Sequence, residues 1–113
     1  MKLGEKQELF AQLLAEHILW LVGKGYKVRL GDVYAREGHK PGSNHYLKLA
    51  ADVNLFFGGV YLTQTGDHTE SGRMWESRHD LCRWGGNWDK DDETEEAGET
   101  DGNHYSLMHH GNM

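Results

Sequence analysis

The sequence predicts an α+β fold: a small, mainly antiparallel sheet with flanking helices, in a single domain spanning residues 1–113. Three observations carry that expectation. A helical periodicity runs from about residue 5 to 23, with Leu9, Phe10, Leu13, Leu14, Ile18 and Leu21 recurring at three- and four-residue steps. Short alternating segments follow, and Gly58-Gly59 joins two of them as a hairpin. The length, 113 residues, suits one modest core.

Each element has its own warrant. Glu5, Lys6, Gln7, Glu8, Gln12 and Glu16 supply the wet face of the first helix, and Gly23 and Gly25 stop it. His17 and Trp20 read as packing residues. Tyr26 to Leu30 alternates as a strand with one buried face, and Gly31 to Tyr34 extends it across an irregularity. Residues 35–44 form a loop rich in glycine and charge that holds Pro41 and His39, the latter read as an exposed loop histidine. From Ala50 to Phe57 a second strand places Ala51, Val53 and Leu55 on one face, Asp52 and Asn54 on the other. Val60-Tyr61-Leu62 returns, and a polar loop over 63–72 carries a solvent-facing His68. Residues 70–82 read as a second helix with Met74, Trp75, Leu81 and Cys82 as its apolar members. Two readings stay open for the tryptophans of Arg83-Trp84-Gly85-Gly86-Asn87-Trp88: a core plug beside a tight turn, or a wall of a cleft.

The segment from Asp89 to Thr100 is strongly acidic and almost without apolar residues, so a mobile loop is expected there. Its oxygen ligands can attract Ca2+, although it lacks the spacing and glycine of an EF-hand loop. Asn103 to Met108 reads as the last strand, and His109 to Met113 as a frayed end.

Composition narrows the classes. Net charge is −6 and no Lys/Arg cluster stands out, which argues against nucleic acid and anionic membrane as partners. The single cysteine, Cys82, makes no intrachain disulfide and reads as a small buried residue. No apolar run is long enough to span a bilayer. The N-terminus enters a charged amphipathic pattern directly, without the apolar core and cleavage site of a signal peptide, so synthesis in a cytoplasm is expected. A monomer is expected.

The chemistry concentrates in two stretches. Ser43 to Asp52 places an imidazole, His45, seven positions before a carboxylate, Asp52. Asp101-Gly102-Asn103-His104 offers a second carboxylate and a second imidazole. Two imidazoles and one carboxylate make a catalytic zinc shell with one position left for water, and the remaining carboxylate can serve that water as a base. Geometry constrains the first stretch. A straight strand from 45 to 52 separates the two residues by on the order of 20 Å, and a helix by roughly 10 Å. Both are too long for one metal, so a bend is expected after His45, around Tyr46 to Lys48. Ser43 reads as a hydrogen-bonding support, since no triad surrounds it.

These residues resemble a family. Ser43, His45, Ala50 and Asp52 fall on the Ser-x-His-x-x-Gly-x-Ala-x-Asp signature of zinc peptidases of the D-alanyl-D-alanine carboxypeptidase and L-alanyl-D-glutamate endopeptidase type. Asp101 and His104 resemble the downstream acid-x-x-His motif of that family. Asp52 to Phe56, Cys82 to Gly86 and Gly102 to Ser106 look like its compact bacteriophage members, the endolysins. The resemblance implies Zn2+ held by His45, Asp52 and His104, with Asp101 as catalytic base. It implies peptidoglycan stem peptide as substrate, and action on the cell wall after release. Ser43, Arg36 and Trp84 are the candidates for contact with substrate, with Arg29 as an alternative arginine. Lys48 stands at the glycine position of the signature, so a different conformation is expected for the bend. A D,D-carboxypeptidase of the same family, or a non-catalytic zinc-stabilised peptidoglycan-binding module, are the competing readings.

Overall fold

The structure, a computed structural model, describes residues 1–38, 43–88 and 101–113. His39, Pro41 and the acidic segment 89–100, with the Ca2+ site considered there, lie outside the described residues. The elements run α1 (Leu3–Gly23), β1 (Lys27–Leu30), β2 (Ala50–Phe57), β3 (Val60–Tyr61), α2 (Thr69–Arg78), β4 (Cys82–Trp84) and β5 (His104–Leu107). Two short 3-10 turns, Asn44–Leu47 and Thr65–His68, precede β2 and α2. The fold is α+β with an antiparallel sheet, as the sequence predicts, and among the described residues the sheet has five strands, one more than the sequence pattern gives.

The helix α1 forms where the three- and four-residue rhythm of apolar side chains permits one buried stripe: Phe10, Leu13, Leu14, His17 and Leu21. Its first turn is closed by Glu5, whose carboxylate accepts the Lys2 N–H at 2.9 Å. It ends where Gly25 turns left-handed at φ 99°. The stripe packs on the face of the sheet made by Ala51, Val53 and Leu55 of β2, with Trp84, Tyr105 and Leu107 beside them, all fully buried. The alternation expected for β2 holds, leaving Asp52 and Asn54 on the opposite face, half-buried.

Sheet order is β1-β2-β5-β4, with β3 also paired to β2. β2 is therefore central: Phe56 pairs with Lys27 of β1 along one edge and with Tyr61 of β3 along the other. Gly58 and Gly59, at φ 60° and 80°, make the two left-handed positions that this tight hairpin requires.

The second helix is shorter than its apolar pattern suggests. It stops at Arg78, and His79 is extended at φ −164°. Cys82 and Trp84 then point into the core with Arg83 between them less buried, a strand pattern, and β4 pairs with β5. Leu81 and Cys82 fall a whole two helical turns after Met74 and Trp75, which is why they read as helical; pairing with β5 overrides that rhythm. Gly72 lies in α2 because the Trp84 ring occupies the space a Cβ there would fill.

A buried polar chain crosses this core. Arg78 donates to His17 Nδ1 at 3.0 Å, so the other ring nitrogen of the neutral imidazole carries the proton and donates to Ser71 Oγ at 2.9 Å. Tyr105 Oη donates to the same Ser71 oxygen at 2.8 Å and lies 2.9 Å from His68 Nδ1. His68 is thus buried, against the expectation of a solvent-facing loop residue; the tyrosine hydroxyl draws it inward. Burial lowers His17 to about 3, with Arg78 adding to the effect. Burial also lowers His68 to about 4, against the opposing charge of Asp67.

Residues 109–113, expected as a frayed end, are folded back in a short hairpin. His109 and Asn112 exchange backbone hydrogen bonds of 2.9 and 2.8 Å around a turn in which His110 and Gly111 have positive φ. No helix among the described residues is long and apolar enough to cross a membrane.

Candidate metal centre

The bend expected after His45 is the 3-10 turn Asn44–Leu47. Ser43 caps it, its Oγ accepting the His45 N–H at 3.3 Å. The turn closes through Lys48, at φ 59° and ψ 36°, and Leu49 N–H returns to the Asn44 carbonyl at 3.0 Å. This corrects the expectation of a different conformation. Lys48 adopts the left-handed geometry that a glycine takes without strain, at a cost of about 1–2 kcal/mol for an L side chain. From Ala50 the chain runs into β2 and carries Asp52 to the same place as His45.

Asp52 is fixed from both sides. Its N–H reaches the Asp32 carbonyl at 2.9 Å while its own carbonyl accepts Gly31 N–H at 2.8 Å. Two residues thus face one, a bulge that ends the regular pairing with β1 beside the site. On the other edge Asp52 pairs with His104 of β5, so both side chains project from one face. The turn before β5 closes with His104 N–H on the Asp101 carbonyl at 3.0 Å. Gly85 permits that turn to sit where it does, because a Cβ there would overlap the Asp101 carbonyl oxygen. The Trp-Gly-Gly stretch therefore sets the position of the Asp101–His104 turn.

Three donor atoms converge. His45 Nε2 lies 3.2 Å from His104 Nδ1 and 3.3 Å from Asp52 Oδ1, and the last two are 3.8 Å apart. Ligands about 2.0–2.1 Å from a tetrahedral ion stand about 3.3 Å from one another. The triangle matches that spacing, and His45, Asp52 and His104 can hold a metal ion. The hydrogen-bond pattern agrees. His104 Nε2 faces the Met113 carbonyl oxygen at 2.9 Å, and a carbonyl only accepts, so this nitrogen carries the proton. In the neutral ring Nδ1 then presents a lone pair to the carboxylate and to His45. Burial pushes the His104 imidazole below its ordinary pKa, with His45 acting in the same direction, while the Met113 carbonyl, Asp101 and Asp52 oppose it. A lone pair aimed at a carboxylate in a buried site is stabilised by a cation between them.

Asp101 stands outside this triangle on its solvent side. One carboxylate oxygen lies 3.7 Å from His104 Nδ1, and its side chain is 57% exposed, against 2% and 8% for the two histidines. Trp88, half-buried, packs its ring edge-on to His104 with centroids 5.0 Å apart.

The remaining candidates separate. Trp84 is fully buried, with Nε1 donating to the Gly102 carbonyl at 2.7 Å; it is the core plug, and its assignment to substrate contact is corrected. Trp88 takes the place beside the site, a division that the pattern around the two glycines does not reveal. Ser43 is buried under the turn it caps, so it acts as support. Arg36 is exposed next to Ala35, whose N–H reaches the His45 carbonyl at 3.2 Å. Arg29 pairs with Asn54 on the same sheet face as Asp52, but its guanidinium lies over the Phe56 ring at 4.5 Å. A polar cavity of about 140 Å³, lined by residues that include Tyr61, Gln64, Thr65, His68 and Asn103, adjoins the Asp101–His104 turn. Comparison with protein-family models, with curated proteins and with solved structures finds no match for the chain.

Proposed function

We propose that the protein is a zinc-dependent peptidase that hydrolyses peptide bonds in the peptidoglycan stem peptide, of the phage endolysin, L-alanyl-D-glutamate endopeptidase type. The single observation that carries the reading is the triangle of His45 Nε2, Asp52 Oδ1 and His104 Nδ1 with an exposed carboxylate, Asp101, beside its solvent side. The substrate class rests on the sequence resemblance.

Two imidazoles and a carboxylate are a donor set that suits zinc, and would leave it a net charge near +1. When bound, zinc supplies Lewis acidity and brings the pKa of a coordinated water towards about 7. Everything else is done by the chain. Asp101 accepts a proton on its carboxylate and returns it to the leaving amine. His104, held by the sheet and by the Met113 carbonyl, keeps its Nδ1 lone pair turned to the site. Trp88 covers one flank of that imidazole and keeps water from it. Arg36 is the arginine we assign to pairing with a carboxylate of the stem peptide.

A closed structural site has four protein ligands, whereas among the described residues this group has three and an exposed acid beside it, which favours an enzyme over a binding module. The test is incubation of the zinc-loaded protein with purified peptidoglycan, followed by mass spectrometry of the released termini. New N-terminal D-glutamate is the expected product. Release of free D-alanine alone makes it a D,D-carboxypeptidase, and no new terminus of any kind overturns the peptidase reading.

A further inference from the structure

Residues 108–113 are tied to both halves of the candidate centre. Lys6 of α1 donates from Nζ to the Met108 carbonyl at 3.4 Å and to His109 Nδ1 at 3.0 Å. Asn44, the neighbour of His45, donates from Nδ2 to the Leu107 carbonyl at 2.7 Å and to the Asn112 carbonyl at 3.1 Å. The tight turn at His110-Gly111 brings the chain back, and the Met113 carbonyl then accepts from His104 Nε2 at 2.9 Å. One short hairpin therefore bonds to the residue beside one imidazole and to the ring of the other.

We infer that the hairpin His109–Met113 is a positioning device for the metal centre, its Met113 carbonyl orienting His104 so that Nδ1 faces the metal, and its Asn112 carbonyl holding the His45 turn through Asn44. The inference rests on the metal reading of the three-residue group. It follows from the inventory of atoms: an imidazole has two nitrogens, and fixing one as a donor to a carbonyl leaves the other as the ligand atom.

Two variants test this. One chain ends at Met108. The other carries Gly111→Val, where φ is 81° and no other atom lies within 4 Å of the added Cβ, so the substitution strains the turn without a clash. Zinc affinity is measured by chelator competition, and the His104 ring Nε2–H proton is followed by nitrogen-edited NMR of the metal-free protein. In the parent that proton is protected from solvent exchange. In the variants it is expected to exchange rapidly, with zinc bound about 10- to 100-fold more weakly. If the shortened chain fails to fold, Gly111→Val decides. A hairpin that merely staples the fold lowers the melting temperature while leaving zinc affinity within twofold and the ring proton protected, and that result overturns the inference. A parent that binds no zinc but keeps its ring proton protected overturns the metal reading and leaves the orienting contact standing. A ring proton that exchanges freely in the parent overturns the inference whatever the metal does.

Discussion

Asp52 and His104 stand directly opposite each other on β2 and β5, so one cross-strand pair supplies two of the three donor atoms. The third, His45, reaches them from a turn only a few residues upstream of β2. The centre is thus built on the middle of the sheet and inherits its rigidity, as a preorganised site requires. Its loss should be specific. The parent is expected to hold one zinc per chain after extensive dialysis, read by elemental analysis. Asp52→Ala removes a ligand whose backbone pairing remains, so sheet content by circular dichroism should persist while zinc is lost. Retention of stoichiometric zinc by this variant would place the metal elsewhere.

Lys48 offers a second test, independent of metal. Its left-handed backbone costs about 1–2 kcal/mol, which glycine avoids at an entropic cost of roughly 0.5–1 kcal/mol. Lys48→Gly also forfeits the contact of the ammonium with the Tyr34 ring, 4.9 Å from its centroid and worth about 0.5 kcal/mol at an exposed site. The net should be small, within about 1 kcal/mol of the parent. Lys48→Val meets the same backbone with a β-branched side chain and should destabilise by more than about 1 kcal/mol in urea unfolding. If valine is tolerated as well as glycine, the turn does not use the left-handed geometry.

What the sequence made legible was local and periodic. The α1 stripe, the alternation of β2 and the Gly58-Gly59 hairpin each follow from a rhythm within one segment, and they appear where that rhythm puts them. The bend after His45 was legible from distance alone. The rest depends on partners far along the chain. β4 was hidden because Leu81 and Cys82 keep helical step with Met74 and Trp75, and only β5 converts them to strand. His68 looked exposed because its partner, the Tyr105 hydroxyl, is 37 positions away. Trp84 and Trp88 are alike in sequence; Gly72 and the Gly102 carbonyl accommodate the first in the core, and His104 meets the second. The terminal hairpin did carry a signal, a glycine between polar residues where a two-residue turn fits, overshadowed by its position at the end of the chain.

The buried histidines away from the centre predict a pH dependence. His17 and His68 are lowered to about 3 and about 4 in the folded chain, from an ordinary value of 6.5 that the unfolded chain restores. Between those limits the unfolded state binds protons that the folded state does not, so stability falls as pH falls. The contribution is fully present above about 6.5 and is lost progressively down to about 3–4, with a loss on the order of several kcal/mol. Urea midpoints of the metal-free protein at pH values of about 7.5, 6 and 5 should decline accordingly. His17→Gln, which keeps a hydrogen-bonding side chain but cannot titrate, should be less stable at pH 7.5 and show a shallower decline. Parallel slopes for parent and variant would show that His17 does not carry the effect.

The last prediction separates an enzyme from a metal-stabilised module. Asp101 and His104 share a turn closed by a 3.0 Å backbone hydrogen bond, yet their side chains have different surroundings. His104 is buried with Nδ1 in the donor triangle, whereas Asp101 is mostly exposed with an oxygen 3.7 Å from that nitrogen. The first placement suits a ligand and the second a base. Asp101→Asn keeps the size and most of the shape, and removes the negative charge and the ability to take up a proton. It should retain zinc and melting temperature and lose on the order of 10²–10⁴ in turnover of peptidoglycan. His104→Ala should lose zinc affinity and turnover together, by removing a donor atom and opening a cavity beside Trp88. Cleavage by Asp101→Asn at close to the parent rate would place the base elsewhere. Loss of zinc from Asp101→Asn as complete as from His104→Ala would make Asp101 a ligand, and the open side of the triangle would then be closed by protein.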